Sequence, residues 1–451
     1  MGKLFGTDGV RGVANSELTA ELAFDLGKAG AYVLSKEKGK ERPVVLIGRD
    51  TRISGDMLED VISAGILSMG GNVVKVGVLP TPAIAHLVKH YNADAGVVIS
   101  ASHNTFEYNG IKFFNGDGFK LDDDIEDEIE NIITNNRDVS SHITGDKLGR
   151  CIDADDDALD IYADFLKSTI DVDIKDMKIV LDCANGAAYK IAEKVFSGLG
   201  AQVTVIAKEP DGININEACG STHTELLQKA VISKNADIGL AFDGDADRVI
   251  AVDELGRTLD GDKMMCICAK MLKDCGELTG NRVTATVMSN LGFHKAIEKM
   301  GCTVDVTAVG DRYVLESMLK TGCVIGGEQS GHIIFLNHAT TGDGILSALQ
   351  FVKALKLSGE KASALSDNIT IYPQVLKNAS VKNENKQKYE ADSEISAEIK
   401  RLEELMSGEG RVLIRPSGTE PLVRVMIEGK DQEAITKLAE NLADMLTKKF
   451  G

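Results

Sequence analysis

Residues 237–252 read DIGLAFDGDADRVIAV, and this stretch decides the fold. The run 237–242, apolar from Ile238 onward, has the length of a buried strand and is too short for a helix. It empties into three aspartates at alternate positions, Asp243, Asp245 and Asp247, and residues 249–252 return as a second strand. In parallel α/β sheets, ligands bind beyond the carboxyl ends of such strands. Three carboxylates spaced by Gly244 and Ala246 can fold back around one hard cation with oxygen ligands. With Glu254 they also match calcium-loop positions one, three, five and twelve, but Arg248 stands at position six, where the sharp turn needs glycine. An EF-hand is excluded. An acidic turn without metal is the competing reading, weakened by the mutual repulsion of three adjacent carboxylates.

Outward from this stretch the chain alternates helix and strand. Towards the N-terminus, Lys178–Asp182 and Gln202–Ile206 read as strands, with helices at 187–199 and 225–233. The first third repeats the rhythm, with strands at 44–47, 72–76 and Ala95–Ile99 and helices between them. A third round has helices at 263–272 and 345–357 and strands at 282–288, 303–306 and 323–326. Such βαβ rhythm implies largely parallel sheets covered by helices. The last eighty-odd residues have strands at 412–415 and 422–427 close in sequence, the pattern of a small α+β domain. Joints are expected at 134–157, 253–262 and 358–368, and the acidic run 153–157 is read as a solvated linker face.

Length, at 451 residues, calls for about three domains by itself. A net charge of −19, no tryptophan and 5% aromatics argue against a nucleic-acid partner, which needs a basic face and stacking platforms. No apolar run approaches a membrane span and the N-terminus has no secretory h-region, so a cytoplasmic protein without membrane insertion is expected. The eight scattered cysteines form no CxxC pair and are read as buried, reduced thiols.

Three more loops follow apolar strands: Ala101-Ser102-His103-Asn104, then Gly326-Gly327-Glu328-Gln329-Ser330-Gly331-His332, then Arg415-Pro416-Ser417-Gly418-Thr419. Four such loops can converge on one cleft. Ser102 lacks the nucleophile elbow, since position 100 is Ser, and on an extended segment the side chain of His103 would point away from it. Read alone, Ser102 is a polar turn serine, though the loop 101–118 around it is long and carries Asn104, Asn109 and Lys112. Arg415, Ser417, Gly418 and Thr419, with Arg424 beyond, read as an oxyanion cradle of backbone amides, hydroxyls and arginine forks. Phe5–Arg11 and Gly310-Asp311-Arg312 repeat the glycine-plus-arginine theme, and a lone His332 is more often structural.

Taken in order, FGTDGVRG (5–12), ASHNTFEYNGIKFF (101–114), CGSTH (219–223), DGDADR (243–248), VGDRYV (309–314), GGEQSGH (326–332) and RPSGTEPLVRVM (415–426) resemble the α-D-phosphohexomutases, most closely the bacterial branch acting on glucosamine phosphates. The resemblance runs nearly the whole chain. It implies four domains around a central cleft, three similar α/β units and a C-terminal α+β domain, divided here at 1–152, 153–254, 255–367 and 368–451. It implies that Ser102 carries a phosphoryl group and joins Asp243, Asp245 and Asp247 around one Mg2+. Arg11, Lys112 and His332 match positions of acid/base or charge-stabilising work. Glu328 and Ser330 match sugar-hydroxyl contacts, Arg248 and Arg312 substrate contacts, and Arg415, Ser417, Gly418, Thr419 and Arg424 a clamp for the substrate's existing phosphate. Thr105 and Thr224 stand where the family usually has proline, and Ala246 where it often has glycine.

The implied reaction interconverts glucosamine 6-phosphate and glucosamine 1-phosphate through glucosamine 1,6-bisphosphate, a step towards UDP-N-acetylglucosamine and cell-wall precursors. The implied partner is a small sugar phosphate, and the implied assembly a homodimer. A phosphomannomutase or phosphoglucomutase of the same family is the nearest alternative. An aspartyl-phosphate phosphatase using Asp243, or a sugar-phosphate-binding regulator, leaves several of the loops unexplained.

Overall fold

The computed structural model describes residues 4–6, 9–139, 143–417 and 420–451. The chain divides into two units: Met1–Met288 with Cys302–Asp367, and Ser289–Gly301 with Asn368–Gly451.

Among the described residues the first unit holds three sheets. In the first, strands run in the order Val10–Val13, Tyr108–Asn115, Ala95–Ile99, Val44–Arg49, Asn72–Val78 and Cys151–Asp153. The last four of these are mutually parallel, and Ala95–Ile99 and Val10–Val13 each pair antiparallel with Tyr108–Asn115. The second sheet orders Thr258–Leu259, Val249–Asp253, Ile238–Phe242, Lys178–Asp182 and Gln202–Ile206, the last three parallel. The third orders Thr303–Thr307, Arg282–Thr286, Ile325–Gly327 and Ile333–Phe335. Ala95–Ile99 and Ile238–Phe242 are buried at every position because helices cover both faces, which is why they read as continuous apolar runs. Helices Ala20–Lys38 and Gly55–Ser68 pack so closely that a Cβ on Gly65 would lie 2.3 Å from the carbonyl oxygen of Phe24.

Three expectations change. The stretch 101–118, read as one long loop, contains the strand Tyr108–Asn115, whose buried Asn109 and Lys112 break the apolar pattern. The joint at 134–157 contains an edge strand, Cys151–Asp153, and Asp155–Asp157 form the first turn of the helix Asp155–Ser168, where carboxylates offset the partial positive charge of the helix N-terminus. The cysteines are all free, but Cys151 and Cys275 are exposed while the other six are buried.

The second unit is the antiparallel sheet Gln374–Ser380, Leu422–Gly429 and Gly410–Pro416, with helices Ser393–Leu405 and Gln432–Phe450 and a core that includes Val425, Ile427, Ile395 and Leu442. The helix Leu291–Lys299 belongs to it: the side chain of its N-cap, Asn290, donates to Tyr372 O at 2.9 Å, and Leu291 N donates to Glu428 Oε2 at 2.9 Å. No helix among the described residues is long and apolar enough to cross a membrane.

Candidate active site

Ser102 lies one turn past Ala95–Ile99, with its residue 1% exposed and a left-handed backbone, φ 52°. That conformation corrects the extended reading of this segment. His103 Nδ1 comes to 3.4 Å from Ser102 Oγ, and Arg248 Nη1 to 3.4 Å from the same ring nitrogen. Burial, then the charges of Arg248 and Arg11, hold His103 below its usual pKa, so it is neutral at pH 7.

Ser102 Oγ donates to Asp243 Oδ2 at 2.7 Å. Two loops from different sheets can approach this far only because residue 244 is glycine. A Cβ there would stand 2.5 Å from Ser102 O and 2.8 Å from Asn216 Nδ2. Ala246 occupies the left-handed region at φ 53°, where the family's glycine would carry no steric cost.

The carboxylates of Asp243, Asp245 and Asp247 are buried and can each bring an oxygen within 4.8 Å of the others. Asp245 Oδ2 accepts from Thr81 Oγ1 at 2.7 Å and from Lys112 Nζ at 3.1 Å. Burial, with Asp247 and Asp245 beside it, pushes the Asp243 carboxyl well above the usual range. Burial acts the same way on Asp247, but His332, Lys112 and Arg248 outweigh it and hold that group well below. Asp245 Oδ1 and Asp247 Oδ1 are buried with no hydrogen-bond partner. Desolvated anionic oxygens that converge without donors fit a hard divalent cation, with Ser102 Oγ beside them.

His332 is buried, with Nδ1 3.5 Å from Asp247 Oδ2 and Nε2 3.7 Å from Asp311 Oδ2. Burial pulls its pKa down, but Asp247, Asp311 and Glu328 together raise it to about 9. Gly342 N also points at Nε2, 3.2 Å away, which favours a neutral ring with its proton on Nδ1. This contact opposes the carboxylates, which on balance raise the pKa above its ordinary value.

The structure thus brings Ser102, Lys112, His332, Arg248 and the three aspartates together. Arg11 follows on the strand paired with Tyr108–Asn115, opposite Gly110. Glu328 accepts from Gly310 N at 3.2 Å, tying the GGEQSGH loop to the GDR loop, and Ser330 is exposed. Arg312, half-buried, is paired with Asp123 and, at 2.8 Å, with Glu316.

Arg415, Ser417 and Arg424 lie on the second unit, so of the four loops expected to converge three meet within the first unit. Arg415 and Arg424 are directly opposite on neighbouring antiparallel strands, an arrangement that costs stability unless an anion sits between like charges. Burial, then Arg424, lowers the pKa of Arg415. Lys386 Nζ donates to Ser417 O at 2.7 Å, adding a third cation. Gly418 and Thr419 lie outside the described residues.

Three side chains of the site escaped the sequence reading: Thr81 on Asp245, and Arg52 and Asn216 beneath Ser102. Arg52 follows the apolar strand Val44–Arg49, the same signal that singled out the other loops.

Four family descriptions match the chain in order: phosphoglucomutase/phosphomannomutase alpha/beta/alpha domain I over residues 2–140, domain II over 160–256, domain III over 260–372 and the C-terminal domain over 376–445. Proteins named phosphoglucosamine mutase from Clostridium novyi and Acetivibrio thermocellus are 58% and 57% identical, covering 100% of this chain and 99% and 100% of theirs. Among solved structures, a phosphoglucomutase/phosphomannomutase family protein from Burkholderia thailandensis matches with a TM-score of 0.82 at 23% identity, over 99% of this chain and 98% of its own. An N-acetylphosphoglucosamine mutase from Aspergillus fumigatus, solved with GlcNAc-6P and magnesium, gives 0.71 at 18% identity over 99% and 96%. At those identities the solved structures speak to the fold.

Proposed function

The chain belongs to the phosphoglucomutase/phosphomannomutase family, and on that premise we propose that it is a mutase interconverting glucosamine 6-phosphate and glucosamine 1-phosphate, with Ser102 as phosphoryl carrier. The observation that carries this reading is the hydroxyl of Ser102, buried and 2.7 Å from a carboxylate of a three-aspartate cluster. The names of the relatives, above half identical over the full chain, support the amino-sugar substrate.

Phosphorylated Ser102 gives its phosphoryl group to the carbon-1 hydroxyl of the 6-phosphosugar. The P–Oγ bond breaks, a P–O bond to carbon 1 forms, and the hydroxyl proton passes to a protein base. The bisphosphate then turns, Ser102 Oγ loses its proton to the protein and bonds to the phosphorus as the P–O bond to carbon 6 breaks, and the protein returns a proton to the carbon-6 oxygen, leaving the 1-phosphate. Such transfers demand alignment and charge neutralisation above all. Asp243, Asp245, Asp247 and Ser102 Oγ would hold Mg2+, which when bound supplies positive charge against the transferring group. Lys112, 3.1 Å from Asp245, balances the phosphoryl oxygens together with Arg11. His332, poised between carboxylates, is the proton-carrying group. Glu328 and Ser330 read the sugar hydroxyls, and Arg248 and Arg312 bind substrate. Arg415, Ser417, Gly418, Thr419 and Arg424 bind the non-reacting phosphate, for which the facing arginines are the support.

The division into domains at 1–152, 153–254, 255–367 and 368–451, a cytoplasmic location and a homodimer go with this reading. Initial rates with glucosamine, glucose and mannose 6-phosphates, measured side by side, test it. The account expects the glucosamine substrate to have the highest kcat/KM, and a higher value for mannose or glucose would transfer the protein to a different branch of the family.

A further inference from the structure

The backbone of Ser102 is held by two side chains that take no part in the steps above. Arg52 is buried at 1% exposure, and a guanidinium out of water is tolerated only when paired and fully hydrogen-bonded. Here its Nε binds Asp50 Oδ2 at 2.8 Å, Nη2 donates to Ser102 O and Asn104 O at 2.9 Å each, and Nη1 donates to Tyr108 O at 3.1 Å and to Thr105 O. All five N–H groups are therefore used. Four of them end on carbonyls of one short turn, residues 102–108, which an arginine serving only to fill the core would have no reason to select.

The same turn is gripped from the loop that follows strand Gln202–Ile206. Asn216 Nδ2 lies 2.9 Å from both Ser102 O and Asn104 O, the two carbonyls that also accept from Arg52 Nη2. A second chain of bonds reaches the serine from below. Ser100 Oγ donates to Asp50 Oδ2 at 2.6 Å and accepts from Ser102 N at 3.0 Å. Both the amide and the carbonyl of Ser102 are thereby fixed, in a left-handed conformation that an L-residue does not adopt unaided. What remains free is rotation about its Cα–Cβ bond, which swings Oγ over Asp243.

We propose that Arg52 is a positioning residue for phosphoryl transfer, with Asn216 as its counterpart on the loop that follows strand Gln202–Ile206. The proposal rests on the mutase reading above. Its content is that the pair keeps Ser102 Oγ aimed at the aspartate cluster in both the phosphorylated and the free state. The interactions act on the carrier rather than on the substrate, so their loss lowers kcat and leaves KM. Lysine at position 52 keeps the charge against Asp50 but offers a single point donor group in place of the fork, and does not substitute for it.

Full-length Arg52→Lys and Asn216→Ala variants, checked for fold by circular dichroism, test this. Expected is a fall in kcat of about 100-fold for Arg52→Lys and roughly tenfold for Asn216→Ala, with KM for glucosamine 6-phosphate within about threefold of wild type. Single-turnover transfer from glucosamine 1,6-bisphosphate to Ser102 should slow by the same factors, and the magnesium-induced rise in Tm should persist. Folded variants with wild-type kcat, or with raised KM and unchanged kcat, overturn the positioning role. If Arg52→Lys does not fold, Asn216→Ala decides alone. A wild-type protein without mutase turnover brings down the mutase reading and this proposal together, whereas an active wild type with unaffected variants brings down this proposal only.

Discussion

Gly244→Ala is the substitution whose effect follows most directly from the geometry. The glycine has an ordinary negative φ, so alanine brings no backbone strain and would by itself favour the fold by restricting the unfolded chain. The contact decides against it. The added methyl would lie 2.5 Å from Ser102 O, 2.8 Å from Asn216 Nδ2 and 2.9 Å from Ile215 Cδ1. A carbon–oxygen contact needs about 3.3 Å, so the serine and aspartate loops must part by about 0.8 Å. Opening by that amount stretches the 2.7 Å bond from Ser102 Oγ to Asp243 to the limit of hydrogen bonding. Overpacking costs about 1–3 kcal/mol of stability, and a displacement near 1 Å at a reacting group costs on the order of 100-fold in rate. We expect kcat to fall by about 30- to 100-fold with KM little changed, and thermal unfolding to shift downward. Steady-state kinetics and a thermal melt suffice. A variant with kcat within threefold of wild type and an unchanged melt would refute the close apposition of these loops.

Three other outcomes are expected. Asp245→Asn keeps the shape of the side chain but removes one of the three converging carboxylates, and with it the magnesium-induced rise in Tm; an unchanged rise would clear Asp245 of metal binding. Arg415→Ala should lower kcat/KM by roughly 10- to 150-fold, largely through KM, while Ser102 phosphorylation stays near wild type; unchanged KM with an empty Ser102 would contradict the phosphate-clamp role. His86 stacks on Phe165 at 3.9 Å, and burial, then His90 and Lys89, lower its pKa to about 4. The folded pKa lies below the unfolded one, so its contribution to stability is present above pH 6.5 and fades as pH falls towards 4. Part-exposed as it is, the group accounts for about 1–2 kcal/mol between pH 7 and 5, and His86→Phe should lose less Tm over that interval; equal losses would refute the assignment.

The alternation of strands and helices was legible wherever strands are covered on both faces, because burial leaves no polar position in Ala95–Ile99, Ile238–Phe242 or Lys178–Asp182 apart from the terminal Lys178 and Asp182. It failed at Tyr108–Asn115, where Lys112 is buried as the partner of Asp245 and so disguises a strand as a loop. Ser102, Lys112, His332 and the aspartates were legible by motif. The left-handed turn at Ser102 was not, since its cause lies outside the local sequence, in carbonyls held by Arg52 and Asn216. Asn290 shows the same limit. Its segment reads as part of the third repeat, yet its side chain and the following amide bind Tyr372 and Glu428 of the second unit.

The central claim is that Ser102, and not an aspartate, carries the phosphoryl group. It is tested by loading the full-length protein with glucosamine 1,6-bisphosphate and magnesium, mapping the phosphoryl group by peptide mass, and chasing with glucosamine 6-phosphate. The account predicts one phosphoryl group on Ser102, lost on the chase as glucosamine 1-phosphate forms. A label on Asp243, or its release as inorganic phosphate, would contradict the account and favour an aspartyl-phosphate phosphatase.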